Sequence, residues 1–240
     1  MPAKATLSGI GSDCSGFRLE AEMAAPVIRW LRRGGLAVKA EFLLPWGVCD
    51  LVGVRLDAAK TKLRLSYGQT QSIGSITRLL ILSRIPESES GKSITFQRLA
   101  KDLSPHFSSD DLLEQIDALV GGKFVIEPRR GFLQKVNGWA PLHSQIVAVE
   151  LKLSRITEAL SQATSNTAFA TASYVALPTR RALQVTRSRK ADIFTQRGIG
   201  LLAVSQHACR ELISPKGSDV HSNEIIQSHV TERFWRTRGS

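Results

Sequence analysis

Apolar positions change their spacing several times along the chain, and each change predicts an element. Leu19, Met23, Val27 and Leu31 recur at the 3.6-residue period, so residues 17–33 predict a helix that Gly34-Gly35 ends and Pro26 kinks. Residues 36–44 and 48–56 then predict strands joined by a Pro-Trp-Gly turn, and 62–67 a further short strand. The middle of the chain reads differently. Residues 76–84, 94–103 and 108–120 predict three helices, the last opened by Ser108 and closed by Gly121-Gly122. Residues 124–127 and 132–136 predict a hairpin. After residue 140 strands and helices alternate: strands at 146–153, 173–177 and 198–204, helices at 155–172 and 180–195. Residues 208–240 are weakly patterned and predict a terminal helix with a frayed tail, and His207-Ala-Cys209 predicts a helix surface. Alternating strands and helices imply an α/β fold with a mixed sheet covered on both faces.

Length and composition narrow the class. The 240 residues are 42% hydrophobic and 22% charged, which suits a folded chain with a sizeable core. No apolar run has the length of a membrane span, and residues 1–13 lack the apolar segment of a signal peptide. Cys14, Cys49 and Cys209 form neither a disulfide framework nor a CxxC pair, and the histidines show no metal spacing. The expectation is a reduced, cytoplasmic protein. The net charge of +11 favours a nucleic-acid partner. It is unevenly spread: residues 1–70 carry +4, 71–139 carry +1 and 140–240 carry +6.

Acids inside apolar strands are the chemical signal. Asp50 shares a strand face with Val48, Val52 and Val54. Glu150 and Lys152 stand two apart in Ile-Val-Ala-Val-Glu-Leu-Lys-Leu, on one face. Such charges are costly unless they are paired, bind a metal or line a cleft. On the first helix, Glu20 aligns with Ala24, Val27 and Leu31 at the border of the apolar stripe, whereas Glu22 lies with Arg29 and Arg33 outside. Glu41 is another acid inside a strand and an alternative to Glu20.

An acid on one strand followed by Glu-x-Lys on the next resembles the PD-(D/E)xK phosphodiesterase superfamily, the restriction-endonuclease-like fold. The helix segment LEAEMAAPVIRWL (19–31), the strand WGVCDLVGV (46–54) and VAVELKL (147–153) each resemble a motif element of that family. So do TEALSQA (157–163), which places Gln162 where many members have a glutamine, and TASYVALP (171–178). Cys49 stands where the family often has proline. The order of elements in 71–139 is that of a winged helix-turn-helix, which would fill the 100 residues between Asp50 and Glu150 as an inserted domain. The resemblance therefore implies a restriction-endonuclease-like mixed sheet flanked by helices. Residues 1–70 and 140–207 would be its halves, 71–139 the insertion and 208–240 a tail. It implies a magnesium-dependent deoxyribonuclease, with Mn²⁺ as a substitute, of restriction, defence or repair type. Asp50, Glu150 and the Leu151 carbonyl would hold the metal, with Glu20 holding a second ion or a water. Lys152 would orient the water or stabilise charge, and Gln162 would position Lys152 or the phosphate. It further implies double-stranded DNA as partner and a homodimer.

Arg29, Arg32, Arg33, Arg180, Arg181, Arg187, Arg189 and Lys190, with Arg129 and Arg130 at the wing tip, are the candidates to hold a nucleic-acid backbone. The third helix of the middle segment instead carries Asp110, Asp111, Glu114 and Asp117, which would repel phosphate, so that module reads equally as a DNA or a protein contact. The competing expectation for the whole chain is a non-catalytic nucleic-acid-binding or transcription-regulatory protein on a nuclease-like fold.

Overall fold

The structure, a computed structural model, describes residues 16–104, 107–136, 141–216 and 223–235. In chain order its elements are α1 (Ala24–Arg33), β1 (Ala37–Leu44), β2 (Gly47–Leu56), α2 (Ala58–Ser66), α3 (Ile76–Arg84), β3 (Ile94–Thr95), α4 (Phe96–Leu103), α5 (Ser109–Gly121), β4 (Val125–Arg129), β5 (Phe132–Lys135), β6 (His143–Leu151), α6 (Ile156–Asn166), β7 (Ala172–Pro178), α7 (Thr179–Thr186), α8 (Lys190–Arg197), β8 (Gly200–Val204), β9 (Cys209–Ile213) and α9 (Glu224–Trp235). The fold is α/β. Among the described residues, those up to 53, with 147–166 and 172–216, make one compact unit; 54–146, 167–171 and 223–235 make a second. No helix among them is long and apolar enough to cross a membrane.

The first unit is built on a mixed six-stranded sheet of order β1-β2-β6-β7-β8-β9. β6, β7 and β8 are parallel and β9 is antiparallel to β8. Side-chain alternation supplies both faces. Val147, Val149, Leu151, Tyr174, Ala176, Leu202 and Val204 join Met23, Val27 and Leu31 in one core. Val175, Leu177, Leu201 and Ala203 form another with Ala159, Leu160 and Ala163 of α6, Ala182 and Val185 of α7 and Phe194 of α8. A strand buried on two faces has no room for polar alternation, which is why these segments read as apolar runs.

Several expected boundaries move. A 3₁₀ turn, Glu20–Met23, precedes α1, and Pro26 is the third residue of α1. There its missing N–H has no intrahelical acceptor to serve, so it starts the helix instead of kinking it. The helix expected over 155–172 stops at Asn166, and that expected over 180–195 is two helices broken at 187–189. Residues 94–95 are strand, because Thr95 caps α4 by accepting the Arg98 N–H. Gly198, at φ 68°, closes α8 in the left-handed conformation. Cys209 is buried on β9, where a helix surface was expected.

The second unit contains a three-stranded antiparallel sheet, β3-β5-β4. Leu79, Ile81 and Leu82 of α3, Leu99 and Leu103 of α4, and Leu112, Ile116 and Leu119 of α5 form its core with Phe124, Val125 and Leu133. Ser75, Thr95 and Ser108 cap the three helices. The short strand expected over 62–67 is instead part of α2. Asp57 accepts the Lys60 N–H and starts a helix, so Arg64 turns inward and Leu63 and Leu65 outward.

Arg64 is fully buried and its partners explain why that is tolerable. Its guanidinium donates to both oxygens of Glu232 on α9 and to the carbonyls of Gln69 (3.3 Å) and Gln71 (2.6 Å). It lies 4.5 Å from the ring centroid of Trp235 and 5.0 Å from that of Phe124. Glu232 also accepts the Ile73 N–H at 2.8 Å. Arg64→Leu leaves Glu232 buried without its cation, and is expected to lower the unfolding free energy by roughly 3–5 kcal/mol. The Arg64→Leu/Glu232→Leu pair should recover much of that loss; urea titration followed by tryptophan fluorescence measures both.

Candidate functional site

β2 and β6 are neighbours in the sheet, although 101 positions separate Asp50 from Leu151. The carboxylate of Asp50 accepts the Leu151 N–H at 2.7 Å. Val149 and Leu151 enter the core under α1, so Glu150 points to the opposite face, toward α6. There its Oε1 accepts the side-chain amide of Asn166 at 2.7 Å. Its Oε2 is buried and has no hydrogen-bond partner.

Burial pushes the Glu150 carboxyl up to about 7, and the negative charge of Asp50 adds to that rise. Asn166, the Cys49 thiol and Lys152 oppose it by favouring the ionised form. The buried Cys49 thiol is itself raised well above the ordinary thiol range, chiefly by desolvation and then by the charge of Glu150. It donates to the Leu51 carbonyl at 3.4 Å, and the Asn166 amide reaches its sulfur at 3.5 Å.

Lys152 follows the last residue of β6 and is anchored by its N–H to the Ala176 carbonyl of β7 (3.1 Å). Its ammonium is almost fully buried, 3.5 Å from Glu20 Oε2 and 3.9 Å from Glu158 Oε1. Glu20 Oε1 accepts the Leu153 N–H at 3.1 Å, so both oxygens of Glu20 are engaged by the segment just after β6. Glu158 also pairs with the exposed Arg155 at 2.8 Å. Glu20 and Glu158 thus flank the buried Lys152 ammonium, while Glu150 feels the charges of both Asp50 and Lys152.

The structure therefore brings Glu20, Asp50, Glu150 and Lys152 into one network. Gln162 lines a cavity of about 170 Å³ together with Glu150, Leu44, Trp46, Gly47, Val48, Ser165 and Asn166. The Gln162 Oε1 is buried and unpartnered. Glu41 is exposed on β1 at φ 49° and touches none of this. Two members were missed from the sequence, Glu158 and Asn166. They stand four before and four after Gln162, so the three share one line along α6, and that spacing is the signal that could have found them. Among the described residues no three His, Cys, Asp or Glu side chains are gathered so as to hold a metal ion.

The basic candidates divide between the units. Arg29, Arg32, Arg33, Arg180, Arg181, Arg187, Arg189 and Lys190 are exposed on the first unit, which carries the carboxylates. Arg29 donates to the Gln206 carbonyl at 3.3 Å. Arg180 and Arg181 open α7, directly after β7, and the parallel strands β6 and β7 end on the same edge of the sheet. Arg129 and Arg130 belong to the second unit, where Arg129 stacks 3.6 Å above the Phe132 ring centroid.

No family model, curated protein or solved structure matches the chain.

A carboxyl whose folded pKa is raised binds a proton in the folded state that the unfolded chain has already released. Stability should therefore fall as pH rises from about 4.5 toward 7 and level off above. Glu150→Gln should abolish that part of the slope and stabilise the protein at pH 8 by on the order of 3 kcal/mol. Urea midpoints of both proteins at pH 5 and pH 8 check this.

Proposed function

We propose that the protein is a metal-dependent nuclease of the PD-(D/E)xK type that hydrolyses phosphodiester bonds in DNA. One observation carries this: Asp50 of β2, Glu150 of β6, Lys152 just after it and Glu20 before α1 form one network, although Asp50 and Glu150 are 100 positions apart. The sheet in which β2 adjoins β6, with α1 on one face and α6 on the other, supports a restriction-endonuclease-like fold. The order α3, β3, α4, α5, β4, β5 supports an inserted winged helix. Asp110, Asp111, Glu114 and Asp117 are all exposed on α5, which favours a protein contact over entry into a DNA groove for that module.

The residues present suit a divalent cation. Carboxylates exceed cationic groups, and Glu150 keeps a buried oxygen without a partner. Asp50 and Glu150 would hold the ion, with the Leu151 carbonyl as a further ligand. Mg²⁺ commonly takes one or two carboxylates and retains waters, so no third acid is required. When bound, such an ion polarises a phosphate and lowers the pKa of a coordinated water.

The chain's own groups do the rest. The Lys152 ammonium, held by Glu20 and Glu158, is a fixed positive charge beside Glu150, suited to stabilising charge that develops on a phosphate. Glu20 acts as a positioning residue, because it binds both the Lys152 side chain and the Leu153 backbone. Asn166 orients Glu150. The unit that holds the network carries 16 basic and 9 acidic residues in sequence, a net +7 that would draw a polyanion to it.

Incubation with supercoiled plasmid and with circular single-stranded DNA, in Mg²⁺ or Mn²⁺, tests this. Wild type should nick or linearise at least one substrate, and EDTA should stop it. Asp50→Ala, Glu150→Ala and Lys152→Ala should each lose about 10²–10³-fold in rate. Equal inertness of wild type and variants under all conditions would remove the enzyme reading.

A further inference from the structure

We infer that the cavity beside Glu150 is a subsite for one unpaired pyrimidine base of a DNA strand. This rests on the nuclease reading for the phosphate next to that base and adds what the strand must look like there. Three observations carry it.

The first is shape. The cavity measures about 170 Å³. An enclosed apolar cavity of about 150 Å³ accepts a benzene-sized ring, so the volume suits a single ring.

The second is chemistry. One wall is apolar, formed by Leu44, Trp46 and Val48 at the β1–β2 turn. Trp46 and Val48 are about half exposed, at 48% and 52%. The other lining residues are polar, Gln162, Ser165 and Asn166 of α6, and the Oε1 of Gln162 is buried without a partner. The fitting occupant is a flat ring that stacks on an aromatic face and donates an N–H from its edge. Thymine offers its ring N–H, which is available only when the base is unpaired, and cytosine its amino group.

The third is placement. Glu150 is part of the same lining, so an occupant sits against the carboxylate assigned to the reaction. Gly47, at φ 154° with open space around it, shapes the turn that sets Trp46 on the rim through its backbone conformation. A base read this way must leave its stack. The favoured substrate is therefore single-stranded, frayed or distorted DNA carrying a pyrimidine beside the cut.

Fluorescence anisotropy of labelled oligo(dT), oligo(dA) and the duplex they form, all in EDTA, tests binding without cleavage. Oligo(dT) should bind tightest. Trp46→Ala should weaken oligo(dT) binding roughly tenfold or more, as loss of an aromatic stacking partner does. Trp46→Phe should retain most of it, and Leu43→Ser, which alters an exposed residue outside the lining, should change nothing. Duplex binding as tight as oligo(dT), or a Trp46→Ala variant that binds like wild type, overturns the subsite. The two readings fail separately. Metal-dependent cleavage without Trp46-dependent binding removes the subsite alone. Trp46-dependent binding of oligo(dT) in a protein that cleaves nothing removes the nuclease and leaves the subsite.

Discussion

The hydrogen bond from the Leu151 N–H to Asp50 joins two segments about a hundred residues apart, and the network depends on it. A carboxylate used as a backbone acceptor fixes position as well as charge. It sets where Asp50 stands along the end of β6, and so which residues flank it. With that register, Glu150 faces α6, Lys152 falls just past the strand, and Leu153 meets Glu20. A shift of β6 by one residue against β7 would send Glu150 into the core under α1, because side chains alternate across the sheet.

Electrostatics then shapes the same place. Burial and the nearness of Asp50 both disfavour the charge on Glu150, and its second oxygen has nothing to bind. Lys152 cannot relieve this fully, since it is shared with Glu20 and Glu158. The arrangement is an acid-rich cluster with a built-in deficit of positive charge. The cost of burying Glu150 as an anion is relieved by protonation, which is why its carboxyl is raised to about 7.

What could be read from the sequence, and what could not, follows from how much each residue stands out locally. Asp50, Glu150 and Lys152 were legible because each interrupts an apolar run, and a sheet covered on both faces leaves few reasons for a charge there. Asn166 and Glu158 were not, because polar residues on a helix are commonplace and only their spacing from Gln162 marks them. Residues 62–67 read as a strand because Lys-Leu-Arg-Leu-Ser alternates; the Asp57 cap makes them helical, and Glu232, Trp235 and Phe124 bury Arg64. β9 is short and half covered, and α9 buries Gln227, Ser228, Thr231 and Glu232. Neither shows an apolar pattern: Glu232 is buried against Arg64 and the Ile73 N–H, and Thr231 lies 3.3 Å from His143, all remote in sequence.

The Arg64–Glu232 pair also sets an order of events during synthesis. Arg64 and the helices that follow it leave the ribosome long before α9 does. Until Glu232 and Trp235 emerge, the guanidinium has no carboxylate to bury against, and that part of the second unit stays open to water or to a chaperone. The first unit likewise waits for residues 147–213 to complete its sheet. Each unit is therefore completed only once segments remote in sequence, up to residues 209–213 for the first and 224–235 for the second, have been made.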